Sequence, residues 1–380
     1  MKILIIDTYY PLFLSSLYAG DPDLATRPYE QQLKLILAEC FGTSDFYSAN
    51  LKKLGHEAKE IIANCEPLQR QWANERKIQI GEKSRWSLRR KRQIPWPSRS
   101  KESDWFYKVL ASQIKEYRPD VLYVQDMNMI DEEFINEIKP YCSLVAGQIA
   151  CPLKQNPDFA VYDFITSSFP HFVEQFRNEG IKSDYLMLGF DPRVLDHNYP
   201  KNDYGAVFVG SLSRAHQSRI KLLELLAREE KIEIWGSGID SLNNKSPLHA
   251  VFHGESWALD MYGVLRNSKI AINHHIDLAG AYANNMRLFE ATGVGTMLLT
   301  DWKMNIGDMF EPGKEVVTYR SPEECSELVS YYLSHEDERA AIARAGQIRT
   351  LSQHTYYHRM QELSELLAHQ LAGKCAAGRI

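Results

Sequence analysis

The chain is predicted to be an α/β protein of two Rossmann-like, doubly wound domains facing each other across a cleft. Three observations carry this. Short runs rich in Ile, Val and Leu alternate with segments of helical periodicity, which is the pattern of a parallel sheet covered by helices. A polar stretch, His197 to Tyr204, interrupts the alternation once, after which it begins again. The 380 residues suit two domains rather than one core, and 44% hydrophobic with 24% charged residues is ordinary for a folded protein.

Taken in order, Ile3 to Ile6 reads as a buried strand opening at Asp7 into a loop. A helix is expected around Tyr29 to Cys40, followed by Asn50 to Leu54, a turn at Gly55-His56 and a strand at Ala58 to Ala63. Ser103 to Tyr117 has helical periodicity, Pro119-Asp120 punctuates, and Val121 to Val124 forms a strand ending at Gln125-Asp126. Leu144 to Ala146, Phe164 to Thr166 and Tyr185 to Met187 supply further strands, with a helix from Pro170 to Gly180. The second half repeats the pattern: strand Ala206 to Val209, helix Gln217 to Ala227, strand Ile232 to Trp235, helix Ala258 to Arg266, strand Ile270 to Ile272, helix Asn285 to Thr292 and strand Thr296 to Thr300. Helices from Ser321, Glu336 and Thr355 follow, the last with one apolar face, and Ala372 to Ile380 reads as frayed. The expected boundaries are 1–200 and 201–352, with 353–380 as a terminal helix packing back on the first domain and a tail.

Composition excludes several classes. A formal net charge of −5 offers no field for nucleic acid. The six cysteines lack CxxC or CxH spacing, so no zinc site and no disulfide framework is expected. The apolar run before Asp7 is too short for a signal-peptide core, and no stretch reaches membrane-spanning length; a cytoplasmic protein is expected. Arg85 to Arg92 with Pro95-Trp96-Pro97 is a basic aromatic stretch without an evident secondary-structure pattern. It is either a solvated loop or a peripheral contact, through 85–97, with anionic lipid. Asp21-Pro-Asp23 is read as a turn, with no catalytic metal, and the absence of GxGxxG after the first strand disfavours a dehydrogenase.

Chemistry is sought at strand-to-helix junctions. Gly210-Ser211, leading to Arg214, places small residues and a fork of donors where backbone N–H groups and a helix N-terminus favour a phosphate; a plain tight turn is the alternative. Trp235-Gly236-Ser237-Gly238 ends the next strand and would line the face used by a base, or is a simple glycine turn. In Asn284 to Thr296, Arg287 and Glu290 share a face near the start of a helix, as a diphosphate-binding cation and a ribose-binding carboxylate or as a surface ion pair.

Met286 to Asp301 (MRLFEATGVGTMLLTD) resembles the donor-site helix and strand of GT-B glycosyltransferases, most closely the CgeB-like group. The resemblance runs through Phe310 to Glu315 and Tyr319 to Leu333, and upstream to Ile272-Asn273-His274-His275. It implies a nucleoside-diphosphate sugar as co-substrate, with no separate cofactor. By it, Glu290 would bind the donor ribose, and Arg287 with the Gly210-Ser211 loop would neutralise the diphosphate. Asn273, His274 or His275, Asn284 and Asn285 would border the sugar and phosphates. The glutamate of many retaining relatives, seven or eight residues before Glu290, is replaced by Tyr282 and Ala283.

Catalytic groups for the acceptor are sought at the carboxyl edge of the first sheet. Asp7, Asp45, His56 and Asp126 are candidates there, and His275 in the second half. Tyr9, Tyr10, Phe13, Tyr18, Phe46 and Tyr47 would offer rings to an acceptor such as a glycan or lipid-linked intermediate, or simply pack the early loops. A catalytically inactive nucleotide-sugar or glycan-binding protein on the same scaffold is the competing reading.

Overall fold

The computed structural model describes residues 1–91, 94–154, 158–213, 216–229 and 231–376, and of 82–91 and 94–103 the backbone. The first half opens with β1 (Lys2–Asp7), α1 (Pro11–Gly20), α2 (Tyr29–Ala38), α3 (Phe46–Lys53), β2 (Glu57–Ile62) and α4 (Glu66–Glu75). A hairpin of β3 (Glu82–Lys91) and β4 (Ile94–Ser103) follows, pairing antiparallel from Glu82 opposite Ser103. Of the stretch expected to lack secondary structure, residues 85–91 and 95–97 are therefore extended and paired, and Arg92 lies outside the described residues. Then come α5 (Trp105–Tyr117), β5 (Val121–Val124), α6 (Glu132–Ile138), β6 (Leu144–Gln148), β7 (Phe164–Ser167), α7 (Pro170–Asn178) and β8 (Ser183–Tyr185). The last strand lies two residues earlier than its apolar run suggested, because Leu186 turns inward to the core as the chain leaves the sheet.

The second half comprises β9 (Tyr204–Val209), α8 (Gln217–Arg228), β10 (Glu233–Trp235), α9 (Ala258–Arg266), β11 (Ser268–Asn273), α10 (Arg287–Gly293), β12 (Met297–Asp301), α11 (Ile306–Met309), β13 (Val317–Tyr319), α12 (Pro322–Ser334), α13 (Glu336–Gln353) and α14 (Tyr356–Ala376). Ser321 starts α12 by accepting from Glu324 N at 3.1 Å, which satisfies one of the helix's free donors.

Two parallel sheets result. The first runs β2-β1-β5-β6-β7-β8 and the second β10-β9-β11-β12-β13. In both, the opening strand lies between its successor and a later strand, so connections diverge to opposite faces and leave a crevice beyond the carboxyl ends. The central strands β5, β6 and β12 are buried along their whole length because helices cover both faces.

The halves share one core. Phe46, Tyr47 and Phe190 of the first pack with Tyr262, Phe289 and Tyr356. The terminal helix α14 lies on α3, where Tyr356 meets Phe46 and Tyr47 at ring distances of 5.2 and 5.5 Å. The chain passes out at Phe190 and back at Thr355 side by side: Phe190 N donates to His354 O and Tyr356 N to Phe190 O, both at 2.9 Å.

Candidate functional site

In the second sheet the crevice opens beyond β9 and β11. Gly210 and Leu212 leave β9 still paired with the neighbouring loop, donating to Trp235 O at 3.0 Å and Ser237 O at 2.8 Å. That closeness requires Gly236: its φ is +145°, and a Cβ there would lie 1.9 Å from Gly210 O. Ser211 Oγ accepts from Ser213 N at 3.3 Å. Arg214 lies outside the described residues.

Arg219, in the first turn of α8, ties the lips of this crevice together. It is buried and donates to Ser211 O at 3.1 Å and to His274 O at 2.8 and 3.2 Å. Burial pushes its guanidinium down to about 10, still charged at neutral pH. Sequence reasoning missed it. The available signal was a cation in a helix's first turn, where the dipole opposes positive charge and another partner must hold it.

Arg287 and Glu290 form a buried ion pair, Nη1 to Oε2 at 2.9 Å, rather than the surface pair of the plainer reading. Arg287 also donates to Val209 O at 3.1 Å and to the Met261 thioether at 3.1 Å, which anchors α10 to the end of β9. Burial raises the Glu290 carboxyl while the adjacent guanidinium opposes that rise. The helix begins at Arg287, not Asn285, because the preceding amides are used elsewhere. Asn284 Nδ2 donates to Ser168 Oγ at 2.8 Å, and Asn285 Nδ2 to Asn273 Oδ1 at 2.6 Å.

His274 stacks on Tyr319 and lies 3.0 Å from its hydroxyl and 3.2 Å from Ser218 Oγ. His275 is buried, with Nδ1 2.6 Å from Asp301 Oδ1. Hydrogen bonds from His275 and the charges of both histidines hold Asp301 well below the usual carboxylate range, against the desolvation that would raise it.

On the first sheet Asp7 ends β1, accepting from Thr8 N at 2.7 Å and Thr43 Oγ1 at 3.1 Å. Burial pushes its carboxyl up to about 6, and Asp126 adds to the rise. Asp126 accepts from Thr8 Oγ1 at 2.5 Å and from the N–H groups of Asn128 and Met129, each at 3.2 Å, so it shapes the turn after β5.

Two candidates lie elsewhere. Asp45 is held by Arg193 at 2.9 and 3.2 Å and lines a groove of about 770 Å³ along the free edge of β2, because it starts α3 rather than ending a strand. His56 precedes β2, which puts it at the amino edge of the sheet, 3.3 Å from the Met1 amine.

The aromatic residues also separate. Phe46 and Tyr47 are core beneath α14, while Phe13 stacks on Phe41 at 4.0 Å and belongs to α1, which was not foreseen as a helix. Tyr18 also lies on α1, its hydroxyl donating to Gln32 at 2.8 Å, and Tyr9 is buried. Tyr10 is 62% exposed and meets Trp257 of the second half edge-on at 5.7 Å. Burial raises its hydroxyl, with smaller contributions from Asp7 of the first half and Glu290 of the second, and the ring contact with Trp257 brings the two halves together here.

Further contacts close the halves together: Asn284 on Ser168, His171 stacked with Tyr282 at 6.1 Å, and Ala279 within the first half's core. Among the described residues, His275 Nε2 and Asn285 Oδ1 are buried polar atoms without a protein partner.

Residues 217–365 match the family model described as glycosyl transferase-like. No curated protein sequence matches the chain significantly. Among solved structures, a glycosyltransferase from Rickettsia africae is similar at 13% identity and a TM-score of 0.56, covering 97% of this chain and 98% of that one. HepE of Anabaena, solved with UDP and glucose, is similar at 11% identity and a TM-score of 0.58, covering 97% and 100%. The pneumococcal O-GlcNAc transferase GtfA, solved with UDP and GlcNAc, is similar at 9% identity and 0.55, covering 98% and 99%. The chain therefore carries the GT-B fold, and its residues 217–365 match the glycosyl transferase-like family.

Proposed function

We propose that the chain transfers a sugar from a nucleoside-diphosphate sugar to an acceptor hydroxyl or other nucleophile in the cleft between its two sheets. The observation that carries this reading is the convergence of both carboxyl edges on one place, with the buried Arg287–Glu290 pair inside the family-matched segment. HepE and GtfA, built on the same fold, were solved with UDP and a sugar, which supports a uridine nucleotide as the first donor to test.

In this reading the Gly210-Ser211 loop, Gly236 and Arg287 hold the diphosphate, and Glu290 accepts from the ribose hydroxyls. Breaking the sugar–phosphate bond leaves negative charge on the nucleotide, and donors fixed in advance stabilise that charge as it develops. Arg219 keeps the two lips of the crevice in register for this. Asp7, buried with a carboxyl near neutrality, is the candidate base for the acceptor, since a base with a pKa close to the working pH transfers protons most effectively. Tyr10 and Trp257 frame the acceptor's approach. The transfer is proposed to need no metal, and unchanged turnover after dialysis against EDTA is the expected result.

The deciding experiment is calorimetry of the purified protein against nucleoside diphosphates and their sugar conjugates, with Glu290→Ala alongside. Binding that is lost in the variant is expected. Equal binding by both proteins would remove Glu290 from the donor site.

A further inference from the structure

The hairpin of β3 and β4 forms a sheet of its own and pairs with neither large sheet. Among the described residues no other element lies along its backbone, so two strands of 10 residues each stand off the first half as an arm about 30 Å long. Its root is fixed: Gly81 N donates to Asp104 Oδ1 at 2.7 Å and Asp104 N to Gly81 O at 3.2 Å, just before α5 begins.

Charge is divided between arm and body. Residues 82–103 hold eight Lys and Arg against two Glu, while the rest of the chain holds 47 Asp and Glu against 36 Lys and Arg. The arm's cations alternate with apolar residues: the register sets Trp86 opposite Arg99, Leu88 opposite Pro97 and Arg89 opposite Trp96. Pro95 and Pro97 withhold N–H groups from β4, which together with the charges protects the strand from pairing with a strand of another chain.

A second feature stands beside the root. Ile80 and Trp105, which flank it, pack against the core cluster that holds Phe13 and Leu14 of α1. No residue of α1 is charged, although its other side faces water through Pro11, Leu12, Ser15, Ser16 and Ala19. Leu12 alone is 54% exposed. The water-facing side of a helix normally carries charge. Here it offers uncharged surface next to a cationic arm that bears two tryptophans.

We propose that the arm and the exposed side of α1 together dock the protein on an anionic lipid surface. The arm's cations meet the headgroups, and its tryptophans lie with Leu12 at the boundary between headgroups and acyl chains, where such rings are favoured. A nucleic acid would answer the cations but not Leu12 or Leu88, and the acidic body would repel it. The docking surface goes beyond the sugar-transfer reading and does not depend on it.

Co-sedimentation of the whole chain with vesicles of phosphatidylcholine, alone or with about one third phosphatidylglycerol, tests this. Binding to the anionic vesicles and not to the neutral ones is expected, weakening as salt is raised. A triple variant, Arg89→Gln with Arg90→Gln and Lys91→Gln, should lower the partition coefficient on the order of a hundredfold, at roughly fivefold per cation. Leu12→Ser should lower it about fivefold with the charge unchanged. Melting temperatures equal to wild type show that the variants are folded. Quenching of wild-type tryptophan fluorescence by brominated phosphatidylcholine in the anionic vesicles is expected as well, and it reads the same contact without any substitution. Equal partition onto neutral and anionic vesicles, or none onto either, overturns the proposal. A folded triple variant that binds as wild type overturns the arm's role, and an unchanged Leu12→Ser overturns that of α1. Tighter binding to duplex DNA or to polyglutamate than to anionic vesicles at the same salt overturns lipid as the occupant. Nucleotide binding is read separately, so failure of either reading leaves the other standing.

Discussion

Replacing Asp7 by asparagine should make the protein more stable while removing its activity. Burial raises the Asp7 carboxyl from 3.8 to about 6, so the folded state holds its proton more tightly than the unfolded state. The sign follows from linkage. Stability is full below the unfolded value, where both states are protonated, and is lost as pH rises through the folded value and the buried group ionises. The rise corresponds to about 3 kcal/mol at pH 8 and roughly half that at pH 5. Asn keeps one oxygen to accept from Thr8 N, its Nδ2 can donate to Thr43 Oγ1 where the second carboxylate oxygen accepted, with the Thr43 hydroxyl turned to Gln125 Oε1, and it carries no charge at any pH. Urea unfolding of both proteins at pH 8 and pH 5 should therefore show Asp7→Asn ahead by a margin that narrows as pH falls. Other titrating groups cancel in the difference. Meanwhile kcat/KM of the wild type should drop about tenfold per pH unit below about 6. A stability difference that is independent of pH, or a variant less stable at both values, would refute the claim that a buried charge at Asp7 is held against its own cost.

Other outcomes follow from single contacts. Gly236→Ala should lower the melting temperature and abolish nucleotide binding together, because the added methyl meets Gly210 O at 1.9 Å, backbone that cannot swing aside; thermal shift with and without UDP reads both. Arg219→Met leaves Ser211 O and His274 O without their donor, for a loss of about 1–3 kcal/mol per carbonyl in urea unfolding. Asn284→Ala removes a bond between the halves and should cost only about 1 kcal/mol of stability. It should also broaden the solution scattering profile toward a more open form, with KM rising more than kcat falls.

The sheets were legible because parallel strands buried on both faces must be continuously apolar. Val121–Val124 and Ala258–Arg266 fall where hydrophobic run and periodicity placed them. The helices that went unseen explain themselves. α1 (PLFLSSLYAG) is nearly apolar all round, so it shows little periodicity, and α4 buries Gln69, which donates to Ile62 O at 2.9 Å and reads as polar in sequence. The pairing of Arg287 with Glu290 was legible through local spacing. Asp45 was misjudged because its partner, Arg193, is remote in the chain. Arg219 and Asp301 went unnoticed for the same reason: each acts by joining elements that only the sheet order brings together.

The exit at Phe190 and the return at Thr355 lie side by side and are hydrogen-bonded. Topologically, the second sheet is thus an insert whose two ends nearly touch, set into a first unit that is completed by α14. During synthesis the rings of Phe46 and Tyr47, emerging early, have no cover until Tyr356 follows them from the ribosome. The first-formed sheet must therefore wait, partly unsealed, while the whole of the second is made.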